Sequence, residues 1–302
     1  MVRRELLWEG SETDMIELDQ AYIDRLIPPR RAESDKNDYG RVLCVCGCVG
    51  YTGAAYFAAQ GAVRMGSGVV TLAVPEQAWP TLVVKLNEPV VRPVPGGADG
   101  TLSADALPSL LALAEKADAM LIGCGLGRSA GVEAVVSGLL RQAACPIVLD
   151  ADGINAVAAH KNILRQTAKP VILTPHAGEF ARLSGMRTPS AEELAAFACE
   201  MRCVLLYKGH RTQIYTPDGT AYRNHSGNPG MAKGGSGDVL AGMLVSLCGQ
   251  GLRAEDAACA AAWLHGRAGD YAANAYSEYG MTPGDMLGQL AVLLRRYNTK
   301  EW

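Results

Sequence analysis

Short apolar runs closed by glycine, proline or polar turns alternate with helix-compatible segments along most of the chain. RVLCVCG (41–47), VVTLAVP, DAMLIGCG (118–125), PIVLDADG, AKPVILTPHAGE and CVLLYKG each read as a buried strand followed by a turn. Between them, TGAAYFAAQGAVRMGSG, VEAVVSGLLRQA and AEELAAFACEM carry small and apolar residues at helical spacing. AEDAACAAAWLHGRAGDYAANA predicts a long alanine-rich helix, and QIYTPDGTAYRN predicts a hairpin around Pro-Asp-Gly. Strands alternating with helices predict an α/β fold, with a central, mostly parallel sheet flanked by helices on both faces. Residues 1–35 are polar and helix-compatible up to Pro28 and Pro29, which predicts an N-terminal arm or helix; 36–302 predict one domain, without repeats or a long linker.

Composition narrows the function classes. Net charge is −3, with no basic block, so a nucleic-acid partner is not expected. No apolar stretch has the length of a membrane span, and the first residues lack the apolar core of a secretory signal. The nine cysteines are scattered through apolar stretches, as expected of reduced thiols in a cytoplasmic protein. Cys44, Cys46 and Cys48 would share one face of a strand, but they lack a fourth ligand and the turn-like spacing of a metal site.

Four turns follow strands directly, GCGLGR, DADGIN, TPHAGE and YKGHRT. In a parallel sheet such turns lie on the carboxyl edge, where ligands bind. A fifth segment, NPGMAKGGSGDVLAG (228–242), crowds Gly234, Gly235 and Gly237 beside Asp238, directly before the apolar run VLAGMLVSL. If a helix starts here, its first amides and its dipole favour an anion, and the glycines let a phosphate chain approach the backbone. Asp238 then stands as a general base for a hydroxyl in front of it. A helix cap alone needs one Asp or Ser and leaves the three glycines unexplained.

The other turns supply candidate ligand contacts. His176 and Glu179 sit three residues apart in TPHAGE, and Glu179 is a candidate for holding a hydrated Mg²⁺ through water. Lys208, Arg211 and Thr212 offer two cations and a hydroxyl to a nucleotide phosphate. Asp150, Asp152 and Asn155 read as a polar turn with a helix cap, of minor functional weight. Gly125, Gly127 and Ala130 fit a loose dinucleotide fingerprint, with Asp150 and Asp152 near the distance of its acid, but that reading leaves GGSGD and KGHRT without a role.

Together, NPGMAKGGSGDVLAG, LTPHAGEFARL, GCGLGRS, LDADGINA and YGRVLCVCGCVGYTGAAYFAAQGAVRMGSGVVTLAVPE resemble the ADP/ATP-dependent NAD(P)H-hydrate dehydratases, the carbohydrate-kinase-like family related to the C-terminal half of YjeF-type proteins. The resemblance covers roughly 35–295. It implies a ribokinase-like fold and repair of the S form of hydrated NADH or NADPH, coupled to cleavage of ADP to AMP and phosphate, or of ATP. It implies Asp238 as base, with Gly235 and Gly237 stabilising the phosphoryl group. Nucleotide binding falls on Lys208, Gly209, His210, Arg211, Thr212 and Gly237; hydrate binding falls on Ala55, Gly127, His176 and Asp238. It further implies a homo-oligomer, expected as a homotetramer. Residues 1–35 are too short for the epimerase half of bifunctional relatives, so a separate NAD(P)H-hydrate epimerase is expected. DKNDYG and CVCGC depart from the family's HKGDYG-like string and glycine-richer turn, away from the proposed base.

Three rivals share parts of this pattern. A kinase of the same fold would phosphorylate a vitamin or sugar alcohol and stop there. A nucleotide-sensing module would bind without turnover. A dehydrogenase would need no ADP.

Overall fold

Each of the six apolar runs forms a strand in the computed structural model, which describes residues 15–298. The strands are β1 (Ile16–Glu17), β2 (Arg41–Val45), β3 (Val69–Pro75), β4 (Val90–Val94), β5 (Ala119–Ile122), β6 (Ile147–Leu149), β7 (Val171–Leu173), β8 (Val204–Tyr207), β9 (Gln213–Tyr215) and β10 (Ala221–Arg223). The helices are α1 (Gln20–Leu26), α2 (Thr52–Arg64), α3 (Trp79–Val83), α4 (Leu107–Ala114), α5 (Ala130–Gln142), α6 (Ala151–Val157), α7 (Ala177–Ser184), α8 (Ala191–Met201), α9 (Ser236–Gly249), α10 (Ala254–Gly280) and α11 (Pro283–Leu293). None among the described residues is long and apolar enough to cross a membrane.

All ten strands join one sheet in the order β1-β10-β9-β8-β7-β6-β5-β2-β3-β4. From β8 to β4 every neighbouring pair is parallel, and β9 is antiparallel to both of its neighbours. Strand order reverses between β2 and β5. The chain runs outward from β2 through β3 to β4, returns to β5 on the other side of β2, and continues to β8. The carboxyl ends at such a reversal splay apart and leave a crevice. Because β5 to β8 are adjacent and parallel, the four sequence-predicted turns line this one edge.

Successive side chains of a strand point to opposite faces, so the sheet carries two cores. Val42, Cys44, Leu121, Val148 and Ile172 pack with α2, α9 and α10. Leu43, Val45, Met120, Ile147 and Leu173 pack with the helices from α4 to α8. Cys44 and Cys46 do share a face and a core, whereas Cys48 lies beyond the strand, in the turn after β2.

Helix α9, which carries Asp238, crosses α2 almost backbone to backbone. A Cβ on Gly61 would stand 2.6 Å from the Val239 carbonyl oxygen, and one on Gly242 would collide with that of Ala58. Gly242→Ala is therefore expected to destabilise the protein by about 1–3 kcal/mol by overpacking. In a helix alanine is otherwise favoured over glycine by up to about 1 kcal/mol, so the sign of the change in chemical denaturation tests the close crossing.

The expected N-terminal arm lies partly outside the described residues. Within them, β1 pairs with β10, and Asp19 caps α1 by accepting from the Tyr22 amide at 2.7 Å. Ile23 is buried, and the Tyr22 ring stands edge-on to Tyr222 at 5.9 Å.

Candidate active site at the carboxyl edge of the sheet

The glycine-rich segment does start a helix. Gly235 is the N-cap residue of α9, with φ +102°, a conformation other residues rarely take. A Cβ here would also press on the Phe57 ring at 2.8 Å. No side chain caps the helix, and Asp238 lies in its first turn without serving as the cap. The Ser236 carbonyl accepts a hydrogen bond from Nε2–H of His265 on α10 at 2.9 Å. Burial keeps this histidine neutral, with a pKa lowered to about 4, and it anchors the start of α9 from below.

Lys208, at the end of β8, reaches the same point. Its ammonium would stand 3.5 Å from a Cβ on Gly237. It donates to Asp150 Oδ1 at 2.6 Å and lies 3.8 Å from Glu179 Oε2. Burial works against its charge, but the two carboxylates outweigh that and raise its pKa above the ordinary lysine value. Asp150 is buried, accepts from the Thr174 hydroxyl at 2.7 Å, and receives the Cys124 thiol at 3.5 Å. Ligand atoms of Cys124, Asp150 and Asp238 all lie within 4.8 Å of one another. Burial, followed by the charge of Asp150, raises the pKa of Asp238 to about 6.

Glycine makes this convergence possible at the strand ends. A Cβ on Gly123, at φ +139°, would collide with the Asp150 carbonyl oxygen. The turn after β6 can therefore lie flat against the end of β5, and Asp150 comes under the start of α9.

The remaining candidates fall in distinct places. His176 is the N-cap of α7: its Nδ1 accepts from the Gly178 amide at 3.0 Å, and its half-exposed ring lies 3.3 Å from Glu179 Oε1. Glu179 is buried and completes a capping box by accepting the His176 amide at 2.9 Å. Gly209, His210 and Arg211 form an exposed turn, which the Thr212 hydroxyl closes onto the Gly209 carbonyl at 3.2 Å. Gly127, at φ +73°, donates its amide to Asp152 at 2.9 Å. Ala55 is fully buried, with its Cβ turned toward Gly47. The structure thus brings Gly237, Asp238 and Lys208 together with Glu179 at the mouth, and sets Ala55 inside the core.

Sequence reasoning underweighted Asp150 and passed over Cys124, Thr174 and His265. Asp150 stands at the N-cap position of α6 but makes no side-chain cap bond; it serves Lys208 instead. The available signal was a lysine directly after an apolar strand, because a buried ammonium requires a carboxylate.

Chemically, the arrangement offers a base of raised pKa, a fixed cation and an open helix N-terminus at one spot. The cluster of Cys124, Asp150 and Asp238 does not suit Mg²⁺ directly. Lys208 already occupies Asp150, the Cys124 pKa is raised well above the ordinary thiol value by the neighbouring Cys46 thiol and by burial, and hard cations prefer oxygen ligands. Glu179, at the edge of the cluster, suits a water-mediated contact.

A profile of the NAD(P)H-hydrate dehydratase family matches residues 42–291. The bifunctional NAD(P)H-hydrate repair enzyme of Moorella thermoacetica is 43% identical over 92% of this chain and 53% of its own length. The chain thus spans about half the length of that relative. The ADP-dependent (S)-NAD(P)H-hydrate dehydratase of Bacillus subtilis is 32% identical over 92% of this chain and 97% of its own. The crystal structure of an ADP/ATP-dependent NAD(P)H-hydrate dehydratase from Bacillus subtilis, co-crystallised with ATP and Mg²⁺, superposes with a TM-score of 0.77 at 29% identity, covering 94% of this chain and 99% of that one. A ribokinase-like superfamily protein of Enterococcus faecalis superposes at 0.82 with 25% identity, covering 97% and 99%.

Proposed function

Because this chain belongs to the NAD(P)H-hydrate dehydratase family, we propose that it repairs hydrated NADH or NADPH of the S form, using ADP, or ATP, as phosphoryl donor. The observation that carries the reading is Asp238 in the open first turn of α9, beside the Lys208 ammonium. The terminal phosphoryl group lies against the α9 amides, with Gly235 and Gly237 leaving room for it and Lys208 countering its charge. Asp238 takes the proton of the ring hydroxyl as its oxygen attacks phosphorus, and AMP departs when the donor is ADP. The phosphate ester is then a good leaving group. The ring nitrogen lone pair expels phosphate, loss of a proton from the adjacent carbon restores the double bond, and the net change is loss of water from the hydrate.

Lys208, Gly209, His210, Arg211 and Thr212 are assigned to the nucleotide, and His176, Gly127 and the turn preceding Ala55 to the hydrate. Glu179 would hold Mg²⁺ through water, and the ion, when bound, would neutralise phosphate charge. Nine free thiols, eight of them buried, fit a reducing, cytoplasmic setting. A homo-oligomer and functional pairing with an epimerase complete the proposal; light scattering and a coupled assay with racemic hydrate test these two.

The direct test is incubation with hydrated NADH and ADP or ATP. Absorbance returning in the reduced-nicotinamide band, with stoichiometric AMP or ADP, is expected; a stable phosphate ester or no reaction with either nucleotide would refute the proposal. Asp238 must be ionised to act, so kcat/KM is expected to be level above a midpoint near pH 6 and to fall about tenfold per unit below it. An acid limb centred near the ordinary aspartate value would contradict the role of its burial.

A further inference from the structure

We propose that Asp150 is a positioning residue of this reaction: it grips the Lys208 ammonium and keeps that cation off Asp238, leaving the base without an ion pair at the mouth of α9. The inference rests on the proposed function for its chemical meaning, but its geometry stands apart from it.

Lys208 faces three carboxylates and makes its short contact with only one, Asp150 at 2.6 Å, against 3.8 Å to Glu179. Asp150 is itself fixed from two further directions, by Thr174 and by Cys124. Its position at the head of α6 is one where an aspartate ordinarily bonds its own helix amides, yet it makes no such bond. The backbone is bent to achieve this. Ala151 has φ +47°, an uncommon conformation for a residue with a Cβ, and Gly123 allows the close approach of the turn.

The polar and charged groups that act on the Asp238 carboxyl come from four neighbouring elements. Cys124 follows β5, Asp150 follows β6, Glu179 lies on α7, and Lys208 follows β8. Helix α10 contributes neutral His265 to the start of α9. Helix α2 sets Phe57 against Gly235, Ala58 against Gly242 and Gly61 against Val239, and α11 sets Pro283 beside Gly235 and Met286 beside Ser236; none of these titrates. Lys208 is thus the one positive group in the set, and where it pairs decides how readily Asp238 gives up its proton. Were it to turn to Asp238, the base would be neutralised by a salt bridge and weakened toward the ring hydroxyl.

The test is a carbon-13 NMR titration of the Asp238 carboxyl in the full chain without substrate, with its resonance assigned from Asp238→Asn. Asp150→Asn, which keeps the shape of the side chain, is expected to lower the Asp238 midpoint by about one pH unit or more, because repulsion is lost and Lys208 is released. Lys208→Gln is expected to move it the other way by a similar amount. The acid limb of kcat/KM should follow the Asp150→Asn shift, with a fall in kcat on the plateau. An unmoved or raised midpoint in Asp150→Asn overturns the proposal. If that variant does not fold, a midpoint that fails to rise in Lys208→Gln overturns it equally. Opposite shifts in a protein that does not turn over hydrated NADH would refute the proposed function and leave the role of Asp150 in holding Lys208 standing.

Discussion

Asp238→Asn is expected to lower turnover of hydrated NADH at least about a thousandfold while leaving nucleotide affinity largely intact, because the substitution removes a proton acceptor and little else. The amide keeps the size of the side chain, and neither the Lys208–Asp150 pair nor the Gly235 turn depends on the charge of Asp238. The same variant is expected to be more stable than the wild type at neutral pH. The folded pKa of about 6 lies above the ordinary value of 3.8, so the folded state holds its proton over an interval where the unfolded chain has released it. Below about pH 4 both states are protonated and the carboxyl has no net effect. Between about pH 4 and 6 the ionised group becomes progressively unfavourable in the fold, and above 6 its full effect is present, on the order of 3 kcal/mol. The gap in melting temperature between variant and wild type should therefore be wide at pH 7.5 and close near pH 4. A variant that melts lower at pH 7.5 would show that the Asp238 charge supports the fold, and one that retains turnover would show that Asp238 is not the base. Activity and stability oppose one another at this residue, as expected where a site holds an uncompensated charge.

The parts of this site that were legible in the sequence are those set by local backbone needs. Strands buried on both faces of a parallel sheet are continuous apolar runs, so β2, β3 and β5 to β8 stand out. The edge strand β4, VVRPV, is largely exposed and holds a proline, so nothing in its pattern separates it from a loop. Gly235 and Gly237 were legible because an excess of glycine before an apolar helix has few purposes. Asp150 was not, because an aspartate ahead of a helix ordinarily caps it; assigning it to Lys208 requires knowing that β6, β7 and β8 are neighbours, which strand spacing alone does not give. The histidine and glutamate of TPHAGE read as ligand contacts from their place after a strand. Their mutual capping box, a purely local device, holds them at that edge. Ala55 was assigned through resemblance alone, and its burial directs attention to the turn before it, where Tyr51 is exposed and caps α2 with no side-chain bond.

Lys208→Met is expected to damage both stability and turnover, and a second substitution separates the two. Losing the ammonium leaves Asp150, a buried carboxylate, with only the Thr174 hydroxyl and the Cys124 thiol as partners. Breaking a buried ion pair from one side costs about 3–5 kcal/mol, most of it the penalty of the stranded charge. Adding Asp150→Asn to Lys208→Met should recover most of the lost stability at neutral pH, since the double variant strands no charge. Turnover should not return with it, because the phosphoryl donor still lacks its cation at the α9 N-terminus. If the double variant is no more stable than Lys208→Met, the pair at 2.6 Å does not hold this edge of the sheet together. If instead it regains turnover, the cation is dispensable, and the helix amides alone bind the phosphoryl group.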